Sequence, residues 1–372
     1  MYQAETDVRF MYDFMHGKVL KMKNIHVGIV GATGYVGAEL VRILSQHPYM
    51  QLTALTSKTY AGKLFSEVYP SLSGICDLPL AEKTPSELAA DCDIVITALP
   101  HGVSAALIPD LLEQGLRVLD HSGDFRFRDC DVYEKAYKLT HPAPDLLQEA
   151  VYGLPELYRG KLKTTRLAAN PGCYPTCSIL ALAPLLSGGL IQTNGIIIDA
   201  VSGYSGAGRK GDVDYSFCET TENYKAYSIE NHRHTPEIEQ ELSLLAGSCV
   251  PITFTPHLAP MKRGMLATIY CDLKSEFEKI EKEQLLDIYK EYYKSSKFVR
   301  ILPLGESPQT KYTAGSNFLD IGIFIDSRTG KLKILSGQDN LGKGAAAQAV
   351  QTLNIMADFP EETGIWGIQQ GL

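Results

Sequence analysis

The sequence has no apolar run that approaches the ~20 residues needed to cross a bilayer. It also has fewer cations than anions, with 35 Lys and Arg against 43 Asp and Glu in 372 residues, a formal net charge of −8. A general nucleic-acid-binding protein needs clustered cations for the phosphates, so this balance argues against such a role. We expect a cytoplasmic protein that binds neither a membrane nor a nucleic acid.

Cysteines are scattered along the chain. There are 8, with no Cys-x2-Cys pair and no dense framework, so the sequence indicates neither a disulfide scaffold nor a metal site. With 45% hydrophobic and 21% charged residues, the composition is far from that of disordered proteins. Residues 1–21 lack the apolar core of a secretory signal. We interpret them as a leader that is either disordered or added for expression.

Strands and helices alternate in the first half of the chain. IHVGIV is typical of a buried strand, and the helix that follows repeats Leu40, Ile43 and Leu44 at helical spacing. The same alternation continues through DIVITALP, VSAALIPDLLEQG and RVLDHSG. Strands that alternate with helices indicate a parallel, doubly wound sheet, so we predict a Rossmann-type domain of class α/β over residues 22–171.

The second half has a different pattern. CSILALAPLLSGG predicts an apolar helix, GIIIDAVSG and MLATIYCDL predict strands, and residues 274–294 have apolar side chains on one face of a predicted helix. This mixture indicates an α+β domain over residues 172–337, which we assign to catalysis, substrate binding and oligomerisation. A small-residue helix, NLGKGAAAQAVQTLNIMADF, then closes the chain.

A glycine turn predicts a dinucleotide site. Gly31, Gly34 and Gly37 follow a strand and open a helix, so backbone N–H groups can face a pyrophosphate with no β-carbon in the way. The spacing departs from GxGxxG, and a ligand-free tight connection is the alternative. Where an NAD enzyme has an acidic residue, after the second strand, this chain has Ser57 and Lys58. A hydroxyl and a cation suit a 2′-phosphate, so we predict NADP(H).

Cys173 is the candidate nucleophile. It lies between Pro171 and Pro175, just before the predicted apolar helix. The N–H groups at a helix start lower a thiol pKa toward neutrality and favour the reactive thiolate. Cys177, one turn later, is expected to be a core residue.

Two histidines are candidates for the acid/base. His232 and His234 alternate on an extended segment, so both can face one side. His232 is slightly preferred, because His234 directly precedes Thr235, the expected helix cap. A glycine-serine loop, VSGYSGAGRK, ends in Arg209 and Lys210 and suits an anionic group.

Together the motifs resemble the N-acetyl-gamma-glutamyl-phosphate reductases, NADPH-dependent enzymes of arginine biosynthesis. The resemblance covers nearly everything from Met22 onward and is carried by GIVGATGYVGAELVRIL, HSGDFRFRD, VYGLPE, NPGCYPT, VSGYSGAGR, HRHTPEIEQEL, TPHLAPMKRGMLATIY and DNLGKGAAAQAVQ. It implies a Rossmann-type domain, a catalytic α+β domain, and a C-terminal helix within residues 338–372 that returns to the first domain.

The resemblance also implies roles for single residues. Cys173 would be the nucleophile, with His232 or His234 as the imidazole beside it. The implied cofactor contacts are Gly31, Thr33, Gly34, Val36, Gly37, Ser57, Lys58 and Asn340. The substrate, an acyl phosphate with a carboxylate, needs cations, and the candidates are Arg126, Arg209, Lys210 and Arg263. We expect inorganic phosphate as the other product and a homo-oligomer, either a dimer or a tetramer.

Three alternatives stay open. An aspartate-semialdehyde dehydrogenase would perform the same chemistry on a shorter acyl phosphate. A cysteine-histidine hydrolase would need no dinucleotide, which makes the glycine turn an argument against it. A nucleotide-sensing regulator would have no use for Cys173 and the histidine pair.

Overall fold

Two seven-stranded sheets organise the part of the chain that the structure describes, which is residues 10–12, 19–21, 24–209 and 212–367 of a computed structural model. Within the leader, strands β1 (Phe10–Tyr12) and β2 (Val19–Lys21) form an antiparallel pair. The rest of the leader and the substrate-binding candidate Lys210 lie outside the described residues.

The first sheet is entirely parallel and has the strand order β5-β4-β3-β6-β7-β9-β8. Its strands are β3 (Ile25–Val30), β4 (Met50–Thr56), β5 (Leu80–Ala81), β6 (Ile94–Thr97), β7 (Arg117–Asp120), β8 (Val151–Tyr152) and β9 (Leu167–Ala169). The helices between them are α1 (Tyr35–Leu44), α2 (Phe65–Val68), α3 (Pro85–Asp91), α4 (Val103–Glu113), α5 (Cys130–Tyr137) and α6 (Pro155–Leu162).

This strand order creates a ligand crevice. The chain runs outward from β3 to β5 and then returns to β6 on the other side of β3, so the order reverses between β3 and β6. Open α/β sheets bind ligands at such a reversal, at the carboxyl ends of the strands. The central strand β6 is buried along its whole length, as a strand covered on both faces must be. The predicted Rossmann-type sheet is confirmed.

The second sheet is mixed and has the order β11-β12-β10-β13-β16-β15-β14. Its strands are β10 (Ile196–Gly203), β11 (Lys225–Ala226), β12 (Ile252–Ala259), β13 (Met265–Cys271), β14 (Val299–Ile301), β15 (Leu319–Ile325) and β16 (Leu332–Gln338). Its helices are α7 (Cys173–Ser187), α8 (Phe217–Thr220), α9 (Thr235–Ala246), α10 (Lys282–Tyr292) and α11 (Thr310–Thr313). The predicted α+β architecture is confirmed.

Helix α7 is the core of this second unit. Nearly all of its residues are buried, and it packs against β13, β16 and α9. It begins at Cys173 itself, four residues earlier than the apolar run suggested, because Gly172 is extended and serves as the N-cap. The predicted helix over residues 274–294 is shorter than expected. It starts at Lys282, where Glu281 and Gln284 form a reciprocal cap.

The C-terminal segment returns to the first sheet, as the resemblance implied. After β16, a wide turn of π-helix (Gly342–Ala346) leads into α12 (Ala347–Met356). Val350 and Leu353 of α12 belong to the same hydrophobic core as Val27 and Ile29 of β3. The π-helical turn contacts α1, α7 and β16, so it lies where the two units meet.

Candidate active site

A cleft of about 370 Å³ lies between the two sheets, at the reversal between β3 and β6. Predicted residues from distant parts of the sequence line this cleft: Gly34, Val36, Gly37, Arg126, Cys173, Arg209, His234 and Asn340. A larger surface groove, of about 720 Å³, contains none of the predicted site residues. The chemistry suggested by the sequence therefore converges on the smaller cleft.

The glycine turn fits a dinucleotide cofactor. Gly31 has a φ of +89°, and a β-carbon there would lie 2.5 Å from the carbonyl oxygen of Ala98. A β-carbon at Gly37 would lie 2.6 Å from the carbonyl oxygen of Ala32. The turn consequently packs tightly on itself and against the residue that follows β6, while Gly34 precedes α1 with no side chain over the helix N-terminus. Backbone N–H groups can face a pyrophosphate there.

The end of β4 fits an adenosine 2′-phosphate. The hydroxyl groups of Thr33 and Ser57 are 3.0 Å apart, which joins the glycine turn to the residue after β4. Lys58 is exposed beside them, and the described chain has no carboxylate at this strand end. Arg209 donates a hydrogen bond to the carbonyl oxygen of Thr33 and lies 5.1 Å from the ring centroid of Tyr69. Arg209 is therefore placed at the cofactor end of the cleft.

Cys173 occupies the first position of α7. No side chain caps this helix, and the N–H of Tyr174 donates to the Cys173 sulfur. Burial raises the pKa of the Cys173 thiol to about 11, although the N–H of Tyr174 and the charges of Arg126 and Arg233 act in the opposite direction. The expectation that the helix start alone brings this pKa toward neutrality is wrong, because desolvation outweighs it. The thiol is protonated at neutral pH and needs a base.

Of the two predicted histidines, His234 is the one that lines the cleft. A β-carbon at Gly172 would lie 2.5 Å from His234 Nε2, so the ring abuts the N-terminus of α7. Burial lowers the pKa of His234 well below its usual value, which keeps the imidazole neutral at pH 7 and makes it a weaker base than a solvent-exposed histidine. Its Nδ1 is buried without a hydrogen-bond partner among the described residues. His234 also serves as the N-cap of α9, the role that the sequence suggested for Thr235.

His232 lies behind this ring rather than in the cleft. Its Nδ1 accepts a hydrogen bond of 3.1 Å from the backbone N–H of His234. Its ring makes edge contacts with Tyr174, Tyr227 and Phe254. Burial lowers the pKa of His232 to about 4. Of the two histidines, only His234 lines the cleft, and His232 lies one ring farther from it.

Arg126 and Glu237 hold the loop before Cys173. The Arg126 guanidinium donates to a Glu237 carboxylate oxygen at 3.2 Å and to the carbonyl oxygen of Asn170 at 2.7 Å. Glu237 is fully buried and also accepts hydrogen bonds from the N–H of Gly172 and the hydroxyl of Tyr152. Sequence reasoning missed Glu237, because a glutamate in the first turn of a helix usually faces solvent.

Asn340 connects the cleft walls. Its side chain accepts a hydrogen bond from the N–H of Gly264 at 2.9 Å and donates one to the Ser205 hydroxyl at 2.8 Å. A few residues later, a β-carbon at Gly344 would lie 2.8 Å from the β-carbon of Cys173. The π-helical turn therefore approaches the nucleophile closely, and only glycine permits this approach.

Arg263 is not part of the cleft lining. Its guanidinium pairs with Glu39 of α1 at 2.9 Å and with Asp339 at 2.8 Å. Both carboxylates are largely buried, so the charge of Arg263 is neutralised within the protein. The structure thus separates Arg263 from the other substrate-binding candidates. Within the described ranges, no group of three or more His, Cys, Asp or Glu side chains is arranged to hold a metal ion.

The fold and the site define a class of protein. Residues 26–165 match the family model for the semialdehyde dehydrogenase NAD-binding domain, and residues 173–340 match the semialdehyde dehydrogenase dimerisation domain. The solved structure of aspartate semialdehyde dehydrogenase II of Vibrio cholerae, in complex with ASA, has a TM-score of 0.67 over 90% of this chain and 99% of its own, at 17% identity. That of the Candida albicans enzyme with NADP has a TM-score of 0.68 over 90% and 100%, also at 17% identity. At this identity the likeness concerns the fold.

Within this class, curated relatives define the family. The N-acetyl-gamma-glutamyl-phosphate reductase of Acetivibrio thermocellus is 55% identical over 91% of this chain and 97% of its own length. The enzyme of the same name from Desulforamulus reducens is 52% identical over 92% and 98%. The chain belongs to the N-acetyl-gamma-glutamyl-phosphate reductase family.

The raised thiol pKa predicts how Cys173 reacts with iodoacetamide. Because only the thiolate is nucleophilic, the alkylation rate of Cys173 should keep rising from about pH 7 to about pH 10. Mass-spectrometric mapping at several pH values measures this rate. Cys218 and Cys249 are exposed and serve as internal controls that the reagent reaches freely. A rate for Cys173 that levels off near about pH 8 would contradict burial as the dominant effect.

Proposed function

We propose that this protein reduces N-acetyl-glutamyl 5-phosphate to N-acetyl-glutamate 5-semialdehyde and inorganic phosphate, with NADPH as the reductant. The observation that carries the proposal is that Cys173, at the N-terminus of α7, shares one cleft with the glycine turn. Membership of the reductase family supports the choice of substrate. The reaction is a step of arginine biosynthesis, and we assign it to the cytoplasm. Across the described residues, no helix has the length and apolarity to span a membrane.

Cys173 and His234 begin the reaction. His234 takes the proton from the Cys173 thiol, and the sulfur attacks the acyl carbonyl carbon. The negative charge that develops on the carbonyl oxygen is stabilised by N–H groups at the start of α7, which no side chain caps. The carbon–oxygen bond to phosphate then breaks, and phosphate leaves with the electron pair. An acyl thioester on Cys173 results.

The second half of the reaction regenerates the thiol. NADPH, when bound, supplies a hydride for the thioester carbon. Protonated His234 then gives its proton to the oxygen of the reduced intermediate or to the departing sulfur, and the aldehyde is released. The close approach of Gly344 to Cys173 keeps the π-helical turn against the base of this side chain. Asn340 fixes the adjoining wall, since both ends of its amide are hydrogen-bonded.

The division of labour between the two units follows from the same geometry. Residues 22–171 and 338–372 form the cofactor-binding domain in this proposal, and residues 172–337 form the catalytic domain. Gly31, Thr33, Gly34, Val36 and Gly37 would bind the pyrophosphate region, and Ser57 and Lys58 the 2′-phosphate. Arg126 and Arg209 remain candidate substrate-binding cations of the cleft. Arg263 instead joins Glu39 and Asp339 through its ion pairs.

The second sheet supports a homodimer. Helix α7 covers one face, whereas on the opposite face Ile197 of β10 is 42% exposed. Its cross-strand partner Tyr270 is half-buried, as are Val201 and Leu266 further along that face, beyond the polar pair Asp199 and Thr268. Apolar side chains that a sheet face leaves accessible favour association. The match to a dimerisation domain over residues 173–340 agrees with a second copy of the chain as the partner.

Replacement of the nucleophile tests the function. Cys173→Ser should abolish NADP⁺ reduction with N-acetyl-glutamate semialdehyde and phosphate, because serine cannot form the thioester. Binding of NADPH, followed by its fluorescence, should be nearly unchanged. Cys218→Ser, at an exposed position, is the matched control and should keep full activity. An active Cys173→Ser variant, or wild-type turnover with aspartate semialdehyde instead, would refute the proposal.

Replacement of Lys58 tests the choice of cofactor. Lys58→Ala should weaken NADPH binding by about 1.5 to 3 kcal/mol, through loss of a charge-assisted contact with the 2′-phosphate. NADH binding should barely change, since NADH has no phosphate there. Titrations of both cofactors against both proteins give the four dissociation constants. Equal affinity of the unaltered protein for NADPH and NADH would exclude this assignment.

A further inference from the structure

The cleft contains three arginines, and two of them already have partners. Arg126 is buried and is paired with Glu237. Arg209 donates to the backbone of the glycine turn and lies over two tyrosine rings, at the cofactor end. The third, Arg233, was not among the predicted cations. Within the described residues Arg233 forms no ion pair, although it lines the cleft.

Arg233 projects from the wall that holds the proposed base. It directly precedes His234, whose Nε2 abuts the start of α7. Its guanidinium donates a hydrogen bond of 3.0 Å to Nε2 of His101, which lies in the loop between β6 and α4. That contact crosses from the second unit to the first. Arg233 is exposed, so its remaining N–H groups are accessible from the cleft.

The carboxylate of Asp124, beside His101, does not form an ion pair with Arg233. Asp124 lies on the other side of His101, with 3.8 Å between its carboxylate and His101 Nδ1. It already accepts hydrogen bonds from the N–H groups of Gly102 and Ala105 and from the Tyr133 hydroxyl. The His101 ring therefore lies between the Asp124 carboxylate, which is already hydrogen-bonded, and the Arg233 guanidinium, whose charge faces the cleft.

We propose that Arg233 binds the phosphoryl group of the acyl phosphate and, in the reverse reaction, inorganic phosphate. This assignment rests on the proposed function and names the phosphate-binding residue of the same site. The phosphoryl oxygen is bonded to the carbon that Cys173 attacks, whereas the carboxylate lies at the other end of the glutamyl chain. A guanidinium next to His234 is therefore placed for the phosphoryl group. Its planar N–H pairs suit two phosphate oxygens at once.

The chemistry at this position is a balanced displacement. In the forward direction the carbon–sulfur bond forms, the carbon–oxygen bond breaks, and phosphate leaves with the electron pair toward Arg233. In reverse, a phosphate oxygen attacks the thioester carbon and the Cys173 sulfur leaves as thiolate, which takes a proton from His234. Arg233 stabilises the phosphate charge in both directions and takes no part in hydride transfer.

Kinetics of the reverse reaction distinguish phosphate binding by Arg233 from a role in binding the semialdehyde or NADP⁺. Arg233→Met should raise the KM for inorganic phosphate about 10- to 100-fold, which corresponds to the loss of one charge-assisted hydrogen bond. Arg233→Lys should recover part of this loss. The KM values for N-acetyl-glutamate semialdehyde and NADP⁺ should stay within about twofold of the unaltered protein. Arg328→Met removes an equal charge from an exposed turn between β15 and β16 and should change none of these constants.

A burst experiment without phosphate isolates the acylation of Cys173 from the phosphate-dependent step. With phosphate omitted, the semialdehyde and NADP⁺ should give a single burst of NADPH as Cys173 is acylated, and Arg233→Met should keep its full amplitude. An unchanged KM for phosphate, a raised KM for the semialdehyde instead, or a lost burst in Arg233→Met would each overturn the assignment. If the unaltered protein shows neither burst nor turnover, the proposed function itself has failed.

A binding measurement decides the assignment even in that case. Inorganic phosphate alone should slow the modification of Arg233 by phenylglyoxal in the intact protein, as mapped by mass spectrometry. Arg328 should be modified at the same rate with and without phosphate. Equal protection of both arginines, or of neither, would contradict a phosphate site at Arg233.

Discussion

A buried ion pair between Arg126 and Glu237 holds the site together. Arg126 follows β7 in the first unit, Glu237 lies in the first turn of α9 in the second, and Gly172 joins them through its N–H. These three segments carry a cleft cation, the proposed base and the proposed nucleophile. More than a hundred residues separate Arg126 from Glu237 along the chain, so the pair joins distant segments, and hydrogen bonds from Gln240 to the same loop reinforce it.

The Arg126–Glu237 ion pair is better explained by its positioning of the start of α7 than by a contribution to the free energy of folding. Desolvation of two charges offsets most of their attraction, so a buried ion pair adds little to the free energy of folding, whereas loss of one partner costs about 3–5 kcal/mol. Both carboxylate oxygens of Glu237 accept hydrogen bonds, from Arg126, Tyr152 and Gly172. Such full use fixes the direction of the carboxylate. The start of α7 is thereby fixed as well, and with it the Cys173 sulfur and the N–H groups around it.

Much of the fold could be predicted from the sequence. Local periodicity and glycine spacing are properties of neighbouring residues, and they sufficed for the parallel sheet, the glycine turn and the position of Cys173 near a helix start. The same holds for the C-terminal helix, although there the resemblance supplied its return to the first sheet.

Other features depend on contacts between distant residues. Which histidine faces the cleft is decided by Gly172, which admits the His234 ring. The sequence made Arg263 a candidate for binding the substrate, but the fold places Glu39 and Asp339 beside it. The pKa of the Cys173 thiol depends on burial, which a sequence motif does not reveal. Arg233 stands out as a candidate phosphate ligand only because the structure shows partners for the other two cleft arginines.

A double-mutant cycle between Arg126 and Glu237 tests the central claim most directly. Arg126→Gln, Glu237→Gln and the double variant would be compared for the free energy of unfolding and for kcat of NADP⁺ reduction. We expect Glu237→Gln to lower kcat about 100-fold through displacement of Cys173, with a coupling energy of at least about 1.5 kcal/mol between the two positions. The double variant should regain stability but not kcat. An unchanged kcat in Glu237→Gln, or effects that add within about 0.5 kcal/mol, would contradict the claim that this pair positions the nucleophile.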